Sequence, residues 1–163
     1  MHARPVVVPR HDPAYAAAAI PHISQGKGEM TMNPNTQQQD LGKLVLRVAL
    51  GALILLHGVA KLTGGLAGIE ELLASRGLPG FLAYGALVGE VLAPLLVLVG
   101  FHARIGAVLI ALNMLVALAL VHAGELSQLN QQGGWAVELQ GMFLFTAIAI
   151  ALLGPGRYSV NGR

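Results

Sequence analysis

The stretch LGKLVLRVALGALILLHGVAKL (residues 41–62) decides the fold class of this chain. It is apolar except for four ionisable side chains, Lys43, Arg47, His57 and Lys61. Its length matches the roughly 20 residues that an α-helix needs to cross about 30 Å of hydrocarbon. It lacks the alternation of period two that marks the strands of membrane barrels. The stretch therefore predicts a membrane-spanning α-helix.

Three further apolar blocks of similar length follow, at residues 81–100, 105–122 and 136–154, and Gly- or Pro-rich breakers separate them. The chain is 55% hydrophobic and only 11% charged, whereas soluble domains carry about 25% charged residues. We therefore predict an all-α integral membrane protein, a four-helix bundle over residues 41–157 with a short cytoplasmic tail at 158–163.

The connection between the first two blocks contains IEELLASR (69–76). This segment predicts a short amphipathic helix lying at the membrane interface. Its charged side chains are expected to face water, and Ile69, Leu72 and Leu73 are expected to face lipid.

Pro94 lies inside the second block. In a soluble helix a proline at this place would indicate a break, because it removes a backbone hydrogen bond. In a bilayer, neighbouring helices can satisfy the freed carbonyl, so we predict a kink near Ala93–Pro94.

Residues 1–40 differ from the rest, being rich in Pro, Ala, Gln and Asn without a sustained period. The apolar run AYAAAAI (14–20) is short and flanked by prolines, which makes a poor signal peptide. We predict a disordered cytoplasmic segment. An equal alternative is that translation starts at Met30 or Met32 and that the preceding residues are an upstream extension.

The distribution of positive charge predicts the orientation, because basic residues near membrane helices stay in the cytoplasm. One side of a four-helix arrangement carries Lys43, Arg104, Arg157 and Arg163 near the membrane. The other side carries Lys61 and Arg76. Both termini are therefore predicted to be cytoplasmic.

Charged groups within the helices form the candidate site. At about 100° per residue, Arg47, His57 and Lys61 fall within an arc of about 80° on the first helix. Glu90, in the middle of the second helix, lies at a depth between Arg47 and His57 and is their expected partner. A charge in hydrocarbon costs at least a few kcal/mol, so such groups pair or line a cavity. All four are candidate ligand-binding residues, and Glu90 and His57 are the catalytic candidates.

Each of these residues also has a structural interpretation. Lys61 and Arg47 can extend their charges to the two membrane surfaces, and His57 can be a hydrogen-bonded packing residue. Glu90 is the hardest to explain in this way, because a carboxylate near the midplane cannot reach water. Asn113 is expected to hydrogen-bond between helices, pointing away from His122, which follows nine residues later.

Several function classes are excluded or disfavoured. The chain has no cysteine, which excludes thiol–disulfide chemistry and cysteine-ligated metal centres within it. Its histidines show no paired metal-ligand spacing on one helix, so no metal site is predicted. A net charge of +2 without a basic cluster gives no support to nucleic-acid binding.

Six pieces of sequence stand in a characteristic order across the four blocks: Arg47, HGVAKL (57–62), GLPG (77–80), GE (89–90), GFHARIGA (100–107) and LGPGRYSVN (153–161). In these pieces the chain resembles the DoxX family of small four-helix bacterial inner-membrane proteins. The resemblance implies that Arg104 and the turn Gly154, Pro155 and Gly156 belong to the family pattern, with topological or structural roles. Asn161 stands where the family usually has Asp.

The resemblance also implies a function. Relatives are linked to quinone-dependent sulfur oxidation and to redox complexes, which implies a quinone-interacting protein or a membrane subunit of an oxidoreductase system. No cofactor is expected within the chain itself, so electrons would come from redox partner proteins. The bilayer and a second copy of the chain are further expected partners. The alternatives are a small transporter or channel and a non-catalytic scaffold for a redox complex.

Overall fold

The computed structural model describes residues 34–161. Residues 1–33 of the predicted disordered segment 1–40 lie outside the described part. Within the described part, the chain folds into five main helices. We label them α1 (Pro34–Gly64), α2 (Ala67–Ser75), α3 (Gly80–Val99), α4 (Ala103–Leu120) and α5 (Glu138–Leu153).

The apolar helices confirm the predicted all-α membrane fold. α1, α3 and α4 are each long and apolar enough to cross a bilayer. α5 is equally apolar but has 16 residues, so a fourth crossing stays a prediction. Large apolar side chains such as Leu56, Phe145 and Leu152 are exposed on the outside of the bundle. This is the surface that lipid would cover.

Small residues set the close spacing of the helices. A Cβ added to Gly51 of α1 would lie 3.1 Å from the Pro94 carbonyl oxygen, and one added to Gly106 of α4 would lie 2.8 Å from that of Ala93. Because backbone atoms cannot move aside as side chains do, α3 needs glycine on both neighbouring helices at these places. Glycine at helix crossings is the usual means of close packing in membranes. Buried Ile54, Val97, Ile110 and Ile150 fill the core between the helices.

α1 begins earlier than predicted. Residues 34–40, which we expected to be disordered, form its first turns. Pro34 suits a first helical turn because its missing N–H needs no partner there, and the glutamines that follow are good helix formers. Asp40 is buried and pairs with Lys43 at 3.5 Å. Composition alone therefore misplaced the boundary.

α2 confirms the predicted short helix but not its orientation. Ile69, Leu72 and Leu73 line an internal cavity, and Leu73 is buried. The expectation that these three side chains face lipid was wrong, because they point into the cavity. Arg76, just after α2, donates to the Leu120 carbonyl oxygen at 3.2 Å and so ties α2 to the end of α4. The location of α2 at a membrane interface stays a prediction.

A π-helical segment, Val88–Leu92, lies directly before Ala93 and Pro94. The kink expected there stays a prediction. Pro94 has no N–H to donate to the Glu90 carbonyl oxygen four residues earlier. A π-helical turn is one way in which a helix absorbs such a gap, and single π turns occur frequently at functional sites. Glu90 lies in the middle of this segment.

Candidate functional site

A cavity of about 770 Å³ lies among the five helices. Most of its lining is aliphatic, with contributions from Ile54, Leu73 and Leu109. Polar side chains reach it from four of the helices and from the residues that follow α4: His57, Lys61, Glu90, Asn113, His122 and Gln140. An apolar chamber with a few convergent polar groups is the usual form of a small-molecule site.

Glu90 is the centre of the inner polar cluster, which we define as Lys61, Glu90 and Asn113. Glu90 is only 5% exposed. Lys61 Nζ donates a hydrogen bond to Glu90 Oε2, and Asn113 Nδ2 donates to Glu90 Oε1 at 3.2 Å. Each carboxylate oxygen thus has its own donor, one cationic and one neutral. The predicted pairing of Glu90 with Lys61 is present.

Two glycines bring the neighbouring helices up to the inner polar cluster. A Cβ at Gly58 of α1 would collide with the Glu90 carbonyl oxygen, and one at Gly89 would collide with the side chain of Asn113. The first glycine puts Lys61, three residues further along α1, within reach of the carboxylate. The second lets the Asn113 amide approach from α4.

His57 lies on the cavity wall one helical turn before Lys61. Its ring packs edge-on against Phe143 of α5, with ring centroids 5.9 Å apart and planes at 74°. Among residues 34–161, this is the one polar or aromatic interaction of the His57 ring. Its nitrogens therefore have no hydrogen-bond partner within the described part of the protein.

Arg47 does not join this cluster. Arg47 is buried, and among the residues that the structure describes its guanidinium donates only to backbone carbonyl oxygens. These are Val97 at 2.8 Å, Leu98 at 3.0 Å, Pro155 at 2.8 Å and Tyr158 at 2.9 Å. The expected pairing of Arg47 with Glu90 was wrong. The last carbonyls of a helix lack intrahelical partners, and α3 ends beside Arg47, whereas Lys61 lies about 21 Å further along α1.

The turn after α5 supplies two of the carbonyl oxygens that accept from Arg47. Gly154 and Gly156 adopt φ of 76° and 72°, which favour glycine. A Cβ at Gly154 would lie 3.0 Å from the Arg104 guanidinium. The residues assigned structural roles by the family pattern, Arg104, Gly154, Pro155 and Gly156, therefore lie around the end of the bundle that holds Arg47.

A second set of polar groups was missed by the sequence analysis. His122 Nδ1 lies 2.8 Å from Glu125 Oε2, and His122 Nε2 lies 3.0 Å from Gln140 Nε2. His122 and Asn113 were expected to point in opposite directions, yet both line the cavity. α4 ends at Leu120, so the angular rule does not extend to His122. The spacing of three residues between His122 and Glu125 was the available signal.

A family model and two known proteins are similar to this chain. The DoxX family model matches residues 42–123, about half of the chain. A Bacillus subtilis (strain 168) protein named "Putative oxidoreductase CatD" is 33% identical over 115 residues, which cover 71% of this chain and 81% of that protein. "Inner membrane protein YqjF" of Escherichia coli (strain K12) is 31% identical over 124 residues, covering 76% and 92%. No solved structure matches at a significant level. The matched region carries Arg47, His57, Lys61, Glu90 and Asn113, and the chain belongs to the DoxX family.

Proposed function

We propose that this protein is a quinone-interacting membrane subunit of an oxidoreductase system in the bacterial inner membrane. The observation that carries the proposal is the buried carboxylate of Glu90, paired with a half-buried Lys61 in the wall of a mostly apolar cavity. The names of the two relatives support its two coarser parts, since one refers to an oxidoreductase and the other to the inner membrane.

The cavity suits an amphipathic ring with an apolar tail. Its volume of about 770 Å³ falls within the range of roughly 300–1,000 Å³ that small-molecule pockets occupy. Aliphatic side chains from α2, α3 and α4 would pack against the ring face and the tail. The polar groups are few, as expected for a ligand whose polarity is confined to two oxygens.

Donors for a ring oxygen are present. The Lys61 ammonium has three N–H donors, of which one goes to Glu90, so two remain for a ligand oxygen. His57 adds a ring nitrogen without a protein partner among the described residues. Residues Lys61 and His57 would therefore orient the head of the ligand.

Glu90 would hold or give up a proton at Oε2, within reach of Lys61, while Asn113 fixes the other oxygen. A bound quinone would supply reversible two-electron chemistry coupled to protons. The chain would supply the apolar environment, the orienting donors and the proton acceptor. Electrons would come from a redox partner protein, with both termini of this chain in the cytoplasm.

The test is quinone binding by the full chain in lipid nanodiscs. We expect native quinone to be retained on purification, as seen by mass spectrometry, and ubiquinone-1 to bind in titrations. Glu90→Gln should weaken binding by about tenfold, which corresponds to about 1.4 kcal/mol. Glu71→Gln, on the exposed side of α2, is the matched control and should bind normally.

Two results would contradict the proposal. Solute flux in proteoliposomes without quinone binding would indicate a transporter or channel. Retention of partner proteins together with unchanged properties of Glu90→Gln would indicate a scaffold.

A further inference from the structure

A second polar group of side chains lies between the cavity and the outside of the molecule. We define the outer cluster as His122, Glu125 and Gln140. α4 continues for seven residues after Asn113, about 10 Å along the helix, and His122 lies two residues beyond its end. His122 and Gln140 line the cavity, whereas the Glu125 side chain is 48% exposed. The outer cluster therefore connects the far end of the cavity from Glu90 with the surface.

The hydrogen bonds of the outer cluster define one tautomer of His122. A carboxylate only accepts, so the Nδ1 atom that lies 2.8 Å from Glu125 Oε2 carries a proton. An amide nitrogen only donates, so the Nε2 atom 3.0 Å from Gln140 Nε2 is the acceptor. The imidazole is thus hydrogen-bonded on both sides. One nitrogen faces the exposed carboxylate and the other faces a cavity side chain.

The backbone holds this geometry in place. The His122 N–H donates to the Ala117 carbonyl oxygen at 3.2 Å, and the short 3-10 turn Ala123–Glu125 returns the Glu125 N–H to the His122 carbonyl oxygen at 2.9 Å. Gln140 projects from the first turn of α5. All three side chains are therefore anchored on ordered backbone.

The charged groups around His122 leave Glu125 as its electrostatic partner. Arg76, from the end of α2, is occupied by the Leu120 carbonyl oxygen. Lys61 and Glu90 pair with each other across the cavity. Glu138, at the start of α5, lies against Gly134.

We propose that the outer cluster is the proton relay between Glu90 and external water. The inference rests on the proposed function in so far as that function requires Glu90 to exchange protons. Water in the cavity would carry a proton released by Glu90 to His122 Nε2, where it binds once Gln140 turns its amide so that Oε1 accepts from the ring. The Nδ1 proton then passes to the Glu125 carboxylate, which releases it to water. One proton enters at Nε2, one leaves at Nδ1, and no electron moves.

The relay is reset when the imidazole returns its remaining proton from Nε2 to Nδ1 by exchange with water. Uptake runs through the same atoms in reverse. His122 thus acts as a proton carrier in contact with the cavity, and Glu125 is a positioning residue that selects the Nδ1 tautomer and accepts the outgoing proton.

The experiment follows Glu90 protonation in the full chain by infrared difference spectroscopy after a rapid change of external pH. The carboxyl band is assigned with Glu90→Gln. His122→Gln retains hydrogen-bonding capacity but cannot carry a proton, and it should slow Glu90 protonation at least about tenfold, at the low end of general acid–base effects. Glu125→Gln should slow it several-fold. His102→Gln, the same exchange at the start of α4 and away from the cavity, should leave the rate unchanged.

An unchanged rate in folded His122→Gln would overturn the relay, as would a Glu90 carboxyl band that does not respond to the change of external pH. Nitrogen-15 NMR of the wild-type histidines provides a readout that needs no variant of His122 to fold. It should show His122 protonated at Nδ1 and unprotonated at Nε2 near neutral pH, and the opposite tautomer would contradict the relay. Slowed protonation without ubiquinone-1 binding would refute the proposed function alone, and binding with unchanged rates would refute the relay alone.

Discussion

Two buried charges on neighbouring helices are stabilised in opposite ways. Arg47 of α1 is surrounded by four backbone carbonyl oxygens, so its partners come from the main chain and belong to α3 and the C-terminal turn. Glu90 of α3 is held by two side chains and borders a cavity. The first arrangement is enclosed by the protein, whereas the second is open to a ligand.

This contrast distinguishes a structural centre from a candidate functional one. Main-chain carbonyls cannot change their protonation or leave, so the Arg47 centre fixes the relative positions of α1, α3 and the turn at 154–158. The Lys61–Glu90 pair can exchange a proton or re-pair with a ligand. A buried charge is therefore evidence for a functional site only when its partners can be replaced.

The largest expected effect comes from Arg47→Met. It leaves four buried carbonyl oxygens without their donor, and bonds to charged donors are worth about 1.5–3 kcal/mol each. We expect unfolding free energy to fall by at least about 4 kcal/mol, measured by denaturant unfolding in detergent. Arg47→Lys, with three donors on one nitrogen, should recover less than half. A loss of unfolding free energy no greater than that of Lys61→Met would contradict the proposed difference between the two centres.

Gly58→Ala is expected to have the next largest effect. The added methyl group collides with the Glu90 carbonyl oxygen, so α1 and α3 must separate. Overpacking of this kind typically costs about 1–3 kcal/mol, and we expect a value near the upper end because backbone cannot yield. Gly64→Ala, where nothing lies within 4 Å, is the control. Equal unfolding free energies for the two variants would contradict the close approach at Glu90.

The sequence predicted the helices and part of the site for physical reasons. Apolar blocks of about 20 residues leave few alternatives to membrane helices, and a carboxylate within one of them requires a donor nearby. Glu90 and Lys61 could therefore be placed together before the structure was known.

The partners of Arg47 and the direction of His122 could not be predicted in this way. Backbone carbonyls are present at every residue, so no sequence pattern marks the four that accept from Arg47. The angle of His122 followed from assuming that α4 continues, and the helix ends two residues earlier. α2 presented the same difficulty, because an apolar face packs equally well against lipid or against a cavity wall.

Lys61→Met tests how much the ion pair at the cavity contributes to stability. It leaves the buried Glu90 carboxylate with Asn113 as its remaining partner. Removing one member of a fully buried pair costs about 3–5 kcal/mol, and we expect about 2 kcal/mol here because the Lys61 side chain is 30% exposed. The double variant Lys61→Met/Glu90→Gln should recover at least half of this loss. If the losses of unfolding free energy measured for Lys61→Met and for Glu90→Gln simply add in the double variant, the ion pair does not couple the two helices.

The smallest effect is expected for Asn113→Leu, which keeps the branching at Cγ but removes the amide donor to Glu90 Oε1. A neutral donor contributes about 1 kcal/mol to stability, so unfolding should change little. The free energy of quinone binding should fall by more than the free energy of unfolding, because the carboxylate loses the contact that holds it in one orientation. Asn113→Gln, which restores an amide on a longer stem, should recover part of the binding. If Asn113→Leu lowered stability and binding by the same free energy, the amide would support the fold in the manner of Arg47, and the cavity centre would be less open than its side-chain partners indicate.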